Sequence, residues 1–246
     1  MITATKKLRA LVAPLIMLVG SGLCAALELI EQDELGNVNQ LNVGSYKSNK
    51  TDDNSAFSDR VVIDQERTLA NYSKLDIRVP AEIIYRGGRD AKIKISATQS
   101  VLDSLTYQVR GGRLLINSEG FGTNQRVKIE LSGSQLEEVL LRGSQEARFS
   151  GIQSTRFELS MRGSADVSVR GTANNCKLDI RGANDLDMEK LRCKHVNIES
   201  QGSSDIVLTA NASISGRVLG AGDLVVYGQP EKRQLKATGA FDVSYD

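Results

Sequence analysis

"MRGSADVSV", Met161 to Val169, has near copies on both sides: "LRGSQEARF" from Leu141 to Phe149, and "IRGANDLDM" from Ile180 to Met188. Each carries a glycine at its third position and an acid three residues after it. The pattern continues beyond these three. Gly143, Gly163, Gly182, Gly202, Gly220 and Gly239 recur at spacings of 20, 19, 20, 18 and 19, and each is followed by its acid: Glu146, Asp166, Asp185, Asp205, Asp223 and Asp242. A fixed period of this size is the signature of stacked structural repeats. Four and six residues after the glycine the side chains are mostly apolar (Val167 and Val169, Leu186 and Met188, Ile206 and Leu208). Two and four residues before it the same holds (Met161 and Leu159, Ile180 and Leu178). Side chains alternate between faces along a strand, so these positions point inward, and each repeat reads as strand, glycine turn, strand. Each strand has its best match one period on, which predicts parallel pairing of coil on coil; a hairpin meander would run antiparallel and demand no identical turn. A turn repeated at the same place must keep one backbone shape, and glycine permits the positive φ expected there. Phe149, Phe157 and Met161 should widen particular core layers.

Outward from the repeats, "VVIDQERTL", "KLDIRVPAEIIYRGG", "AKIKISA", "LTYQVRGGRLLINS" and "RVKIELSG" alternate apolar and polar residues between Gly, Pro and Asn. They are expected to be strands joined by tight turns, and no ten-residue stretch after Val61 carries a helical stripe. Residues 27–60 are polar and without a period, and are expected to be a disordered spacer. At the start, Lys6, Lys7 and Arg9 precede an apolar run from Ala10 to Ala26, the layout of a secretory signal peptide over residues 1–26. Small residues at Cys24 and Ala26 suit cleavage after Ala26. The run is interrupted by Pro14 and is short for the roughly 20 residues of a span, so no membrane span is expected after cleavage. The predicted organisation is therefore signal peptide 1–26, spacer 27–60, and one all-β domain 61–246 with regular repeats over 137–246. Exported, the chain keeps Cys176 and Cys193 in an oxidising compartment. The register places them on neighbouring coils but laterally offset, so a disulfide competes with a reading in which both are buried and unpaired.

The segments "YSKLDIRVPAEIIYRGG" and "YQVRGGRLLINS", with the turns "RGSADV", "QGSSDI" and "LGAGDLVV", resemble the head GIN domain family, formerly a domain of unknown function and labelled an auto-transporter adhesin. The resemblance runs from about Arg67 to Asp246. It implies a right-handed parallel β-helix, here with coils of about 19 residues, in an exported or envelope-associated protein with no established catalytic residues.

The even balance of 31 basic and 30 acidic residues offers no field for nucleic acid or an anionic membrane, and 11 aromatic residues without tryptophan argue against a sugar-stacking cleft. The acid ladder is the feature that invites chemistry. Stacked carboxylates roughly 5 Å apart repel by roughly 0.8 kcal/mol in water and about 3 kcal/mol at intermediate screening, so something must offset them. The plainest account has each acid accepting hydrogen bonds from its own glycine turn while staying solvated. Arg142, Arg162 and Arg181, each just before a glycine, could instead pair with Glu146, Asp166 and Asp185. The last three coils lack such a partner, so a divalent cation such as calcium, if bound, is expected at Asp205, Asp223 and Asp242. Arg162, Asp166, Arg181 and Asp185 could imitate the outer groove of a β-helix polysaccharide enzyme, but the acids recur at one structural position and no insertion builds groove walls, so no enzyme is expected. His195, the single histidine, reads as a solvated loop residue; a metal there would need Cys193 and Cys176. The last copy, "LKATGAFDVSYD", is expected to leave a strand edge uncovered and to favour end-to-end self-association, opposed by Asp242 and Asp246. The functional expectation is an exported, non-enzymatic binding or adhesion module presenting an extended face to a glycan or a protein at the surface, with a periplasmic structural or assembly role as the alternative.

Overall fold

The computed structural model describes residues 30–32, 38–40, 61–118, 120 and 127–246. The expected signal peptide lies outside them. Within the expected spacer, β1 (Ile30–Gln32) pairs antiparallel with β2 (Val38–Gln40), so this segment holds a short ladder where none was expected.

From residue 61 on the chain is nearly all β. Strands β3 (Ile63–Thr68), β4 (Lys74–Ile77), β5 (Ala81–Gly87), β6 (Lys92–Ala97), β7 (Leu105–Arg110), β8 (Arg113–Ser118) and β9 (Lys128–Gly133) precede one continuous strand, β10, from Glu138 to Tyr227, and a last strand β11 from Lys232 to Tyr245. A short helix α1, Gln99–Ser104, buries Val101 and Leu102; with a single apolar pair it has no recurring stripe for a sequence reading to find.

The 90 residues of β10 would reach roughly 300 Å if straight. They do not run straight, because the repeated glycines lie against one another. A Cβ added to Gly163 would stand 2.3 Å from the carbonyl oxygen of Gly143, one on Gly182 2.0 Å from that of Gly163, and one on Gly202 2.1 Å from that of Gly182. Successive repeats therefore stack backbone on backbone. The last layer shows the register in full: β11 runs parallel to the end of β10, with Gly220 opposite Gly239 and Asp223 opposite Asp242. The positive φ expected at the turn is present, +133° at Gly163 and +117° at Gly182.

The inward positions are inward. Val139, Leu159, Leu178 and Ile198 form one buried column, and Ala147, Val167, Leu186, Ile206 and Leu224 another. Each fully buried Val, Leu or Ile contributes about 1.5–3 kcal/mol relative to exposure. Phe149, Phe157 and Met161 are buried among them, as read from the sequence.

The first layers are built differently. β4 and β5 run parallel to the start of β10, at Glu138–Leu141 and Gln145–Ser150, and β8 and β9 run parallel beneath them. Beyond these, β6 pairs antiparallel with β9, β3 with β6 and β7 with β8, so this end of the stack is closed by antiparallel strands in a mixed sheet ordered β3-β6-β9-β5-β10-β4-β8-β7. Tyr72 and Tyr85 pack into this end, their hydroxyls donating to the carbonyl oxygens of Ser132 (2.9 Å) and Gly133 (3.2 Å). Burial pushes both phenols up, that of Tyr85 to about 12. Unfolding lets them ionise near pH 10, so the unfolded state binds fewer protons above that pH. The stability these two phenols contribute is expected to be level below about pH 10 and to fall above it, with the share of Tyr85 lost by about pH 12 and that of Tyr72 falling further. Denaturant unfolding across that range checks it, and Tyr85→Phe should flatten the fall.

Candidate functional site

The three residues after each of Gly143, Gly163, Gly182 and Gly202 build a groove along the stack. Just after the glycine stands a short exposed side chain, Ser144, Ser164, Ala183 or Ser203. Three after it stand the exposed acids Glu146, Asp166, Asp185 and Asp205. The small column leaves a trough beside the acid column, a groove of 560 Å³ spanning four layers.

Between the two columns lies a third that the sequence reading missed. Gln145, Ala165, Asn184 and Ser204 point inward and are buried, Asn184 to 3 % exposure. Gln145 donates from Nε2 to the carbonyl oxygens of Val79 (3.1 Å) and Arg142 (2.6 Å). Neither side-chain polar atom of Asn184 has a hydrogen-bond partner among the described residues, and the hydroxyls of Ser200 and Ser204 have none either. Parity was the available signal, since an offset of two from the glycine has the same sense as four and six. Polar residue types concealed it.

None of the three arginines pairs with the acid that the sequence suggested for it. Arg162 and Arg181 both reach Asp179, at 3.8 and 3.0 Å, and Arg142 lies 4.0 Å from the buried carboxylate of Asp76. Asp179 and Arg181 are two residues apart on one outward face, whereas the turn at Gly182 carries Asp185 away from that face. Glu146 finds its cation in Arg148, again two residues along the same face. Asp76 is also held by a fork from Arg78, whose Nε and Nη2 donate at 3.1 and 2.8 Å.

The expected cation site is not assembled. Among the described residues no three His, Cys, Asp or Glu side chains come close enough to hold a metal ion. Asp205, Asp223 and Asp242 stand one per layer instead of converging, and Asp205 Oδ1 accepts the backbone N–H of Asp223 at 3.1 Å. That bond resembles the turn hydrogen bond expected for each acid, but its donor belongs to the next repeat. Cys176 and Cys193 are joined in a disulfide with their Cα atoms 6.1 Å apart. The lateral offset that spoke against pairing is closed at a corner. Asn174 and Asn175, and Lys194 and His195 one layer on, are consecutive exposed residues between buried neighbours, so alternation skips a beat and inward side chains on either side converge. The bond also removes both thiols as ligands for His195, which sits exposed in β10 with Nδ1 2.8 Å from Ser213 Oγ.

A second groove, of 550 Å³, lies at the antiparallel end. Its charges are largely spent on one another: Arg86 on Glu130 at 3.2 Å and Lys92 on Glu66 at 3.5 Å. The hydrogen bond from Arg86 holds the Glu130 carboxyl below the usual carboxylate range.

No helix among the described residues is long and apolar enough to cross a membrane. No curated protein matches the sequence. A crystal structure described as "a putative adhesin" from Bacteroides fragilis is 18% identical with a TM-score of 0.58, the match covering 77% of this chain and 99% of that one. A "putative adhesin" from Parabacteroides distasonis, 15% identical, has a TM-score of 0.41 over 77% and 98% of the two chains. A "putative lipid binding protein" from the same species, also 15% identical, has a TM-score of 0.40 over 77% and 98%. The first likeness shows a shared fold. The family described as "Putative auto-transporter adhesin, head GIN domain" matches residues 71–230, a span that takes in the entry strands and five of the six glycine turns. This chain belongs to the head GIN domain family.

Proposed function

We propose that this chain is an exported, non-enzymatic, adhesin-like binding module, wound as a right-handed parallel β-helix, that presents its glycine-turn groove to a glycan or a protein. The observation that carries the reading is the groove itself: four successive layers each offer a short side chain, serine or alanine, beside an acid, on a backbone held rigid by stacking. A repeated, shallow and polar trough suits an extended partner with a repeat of its own, and its arginines are turned away to Asp179 where a catalytic pairing would need them at the acids. The family's description as an adhesin supports the same class of function. Export rests on the basic and apolar leader ahead of Leu27.

The test uses the purified chain on immobilised polysaccharides and on intact cells. Ser164→Arg with Ala183→Arg fills two layers of the groove at exposed positions and neutralises the neighbouring acids. Retention is expected to fall at least about tenfold, a loss of about 1.4 kcal/mol, with the melting temperature unchanged. Equal retention by the variant would remove the groove from the account, and no retention of the native chain on any such surface would remove the adhesin-like reading. Protease cleavage within residues 27–60 on intact cells is the expected sign of surface display. Protection until the envelope is permeabilised would favour the periplasmic alternative.

A further inference from the structure

Among the described residues β11 is the last layer of the stack. It is hydrogen-bonded on one side to β10, from Ser213 opposite Lys232 to Val226 opposite Tyr245, and its other side has no partner among the described residues. The lack of a cover is visible in the core. Leu224 and Val226 are fully buried, while Val243 and Tyr245, which stand on them in register, are only partly so, as are Leu235 and Phe241. The N–H of Asp246 donates down to the carbonyl oxygen of Val226 at 3.0 Å, so by strand alternation Phe241, Val243 and Tyr245 turn their own N–H and C=O groups to the open side.

The sequence of this strand is antisymmetric about Gly239. Residues at even distances from it point inward on both flanks: Leu235 and Ala237 before, Phe241 and Val243 after. Residues at odd distances point outward, and they carry opposite charge: Lys236 and Lys232 lie three and seven before, Asp242 and Asp246 three and seven after. Register also stacks like on like below, Lys236 on Arg217 and Asp242 on Asp223. A copy stacked on β11 in the same parallel register would lengthen both columns of like charge. An antiparallel copy, related by a two-fold axis through Gly239, does the reverse. It sets inward side chains on inward side chains and places every charged outward residue opposite its complement.

We propose that β11 is a self-docking edge, and that two copies join their last layers head to head across a two-fold axis at Gly239, with Lys236 and Lys232 of each against Asp242 and Asp246 of the other. The acids that seemed to oppose association at this end are its counter-charges. The interface is isologous, so it closes at two copies and does not propagate into a filament. It buries the half-exposed faces of Leu235, Phe241, Val243 and Tyr245, and it completes the unpaired edge. The proposal is independent of what the glycine-turn groove binds.

Sedimentation of the full chain over a wide concentration series tests it. A monomer–dimer equilibrium, with no larger species and weakened by salt, is the expected result. Lys236→Asp should weaken the dimer at least about tenfold, because the axis makes each substitution act twice and turns an attractive cross-strand pair into a repulsive one. Asp242→Lys should do the same. Lys236→Asp combined with Asp242→Lys should restore dimerisation to within about threefold, because the cross-strand pair is again of opposite sign. Both changes are at exposed positions, and circular dichroism confirms that each of the three variants is folded. A chain that stays monomeric throughout overturns the proposal. So do single variants that dimerise as well as the native chain, a double variant that fails to recover, or growth into open-ended assemblies.

Discussion

Gly182→Ala is expected to cost about 3–5 kcal/mol, enough to consume a large part of the stability of an ordinary domain. Two penalties fall on the same methyl group. The backbone at Gly182 has φ of +117°, where an L side chain is strained by about 1–3 kcal/mol. The added Cβ would also stand 2.0 Å from the carbonyl oxygen of Gly163, and that oxygen belongs to the backbone of the next layer and cannot swing aside. Relief requires the two layers to separate, which weakens the ladder on both sides of the turn. Gly88→Ala is the matched control: its φ is +74° but nothing lies within 4 Å of the added carbon, so only the conformational cost of about 1 kcal/mol should appear. Urea unfolding of the two variants checks the comparison. If Gly182→Ala lost no more than Gly88→Ala, close stacking would not be what holds glycine in this column.

Removing the disulfide is the second large effect. Cys176 and Cys193 close a loop with a sequence separation of 17, for which the chain-entropy relation gives about 3 kcal/mol. Cys176→Ala with Cys193→Ala should therefore lower the unfolding free energy by about 3 kcal/mol while leaving the fold in place, since both side chains are small and point into the core. The two cysteines are 2 % and 0 % exposed, so a reductant reaches the bond only when the stack opens. The native chain should resist thiols on the timescale of its own unfolding and then lose stability to match the double variant. A loss below about 1 kcal/mol would mean that the ladder alone fixes these two layers in the unfolded-state balance as well.

The stack could be read from the sequence because its cause is local and repeated. Gly143 to Gly239 and their acids record a constraint imposed afresh in every layer, and inside-outside parity then places Val167, Leu186 and Ile206 without further information. What could not be read depends on where the chain turns or on partners far away in sequence. The corner at Asn174 and Asn175 breaks parity, and without it the two cysteines look misaligned. The antiparallel end depends on β3 meeting β6 and β6 meeting β9, pairings that no period announces. At the groove, the small and acidic columns were legible but their partners were not. Arg181 chooses Asp179 because residues two apart share a face, and Arg162 reaches the same carboxylate from the neighbouring layer; both contacts outrank nearness to the acid across a glycine turn. Asn184 was overlooked because its chemistry suggests the surface while its offset from Gly182 assigns it to the core.

The bond between Cys176 and Cys193 also decides how the molecule answers to tension. A load pulling on the C-terminal end would meet the layers singly, each giving up one ladder at a time. At Cys193 the unreeling changes character. The covalent link passes the load straight to Cys176, residues 177–192 stay out of the force path as hidden length, and two neighbouring layers must yield together before the chain lengthens further. The bond thus sets a stop about halfway along the repeats, and the layers before it stay in place while those after it give.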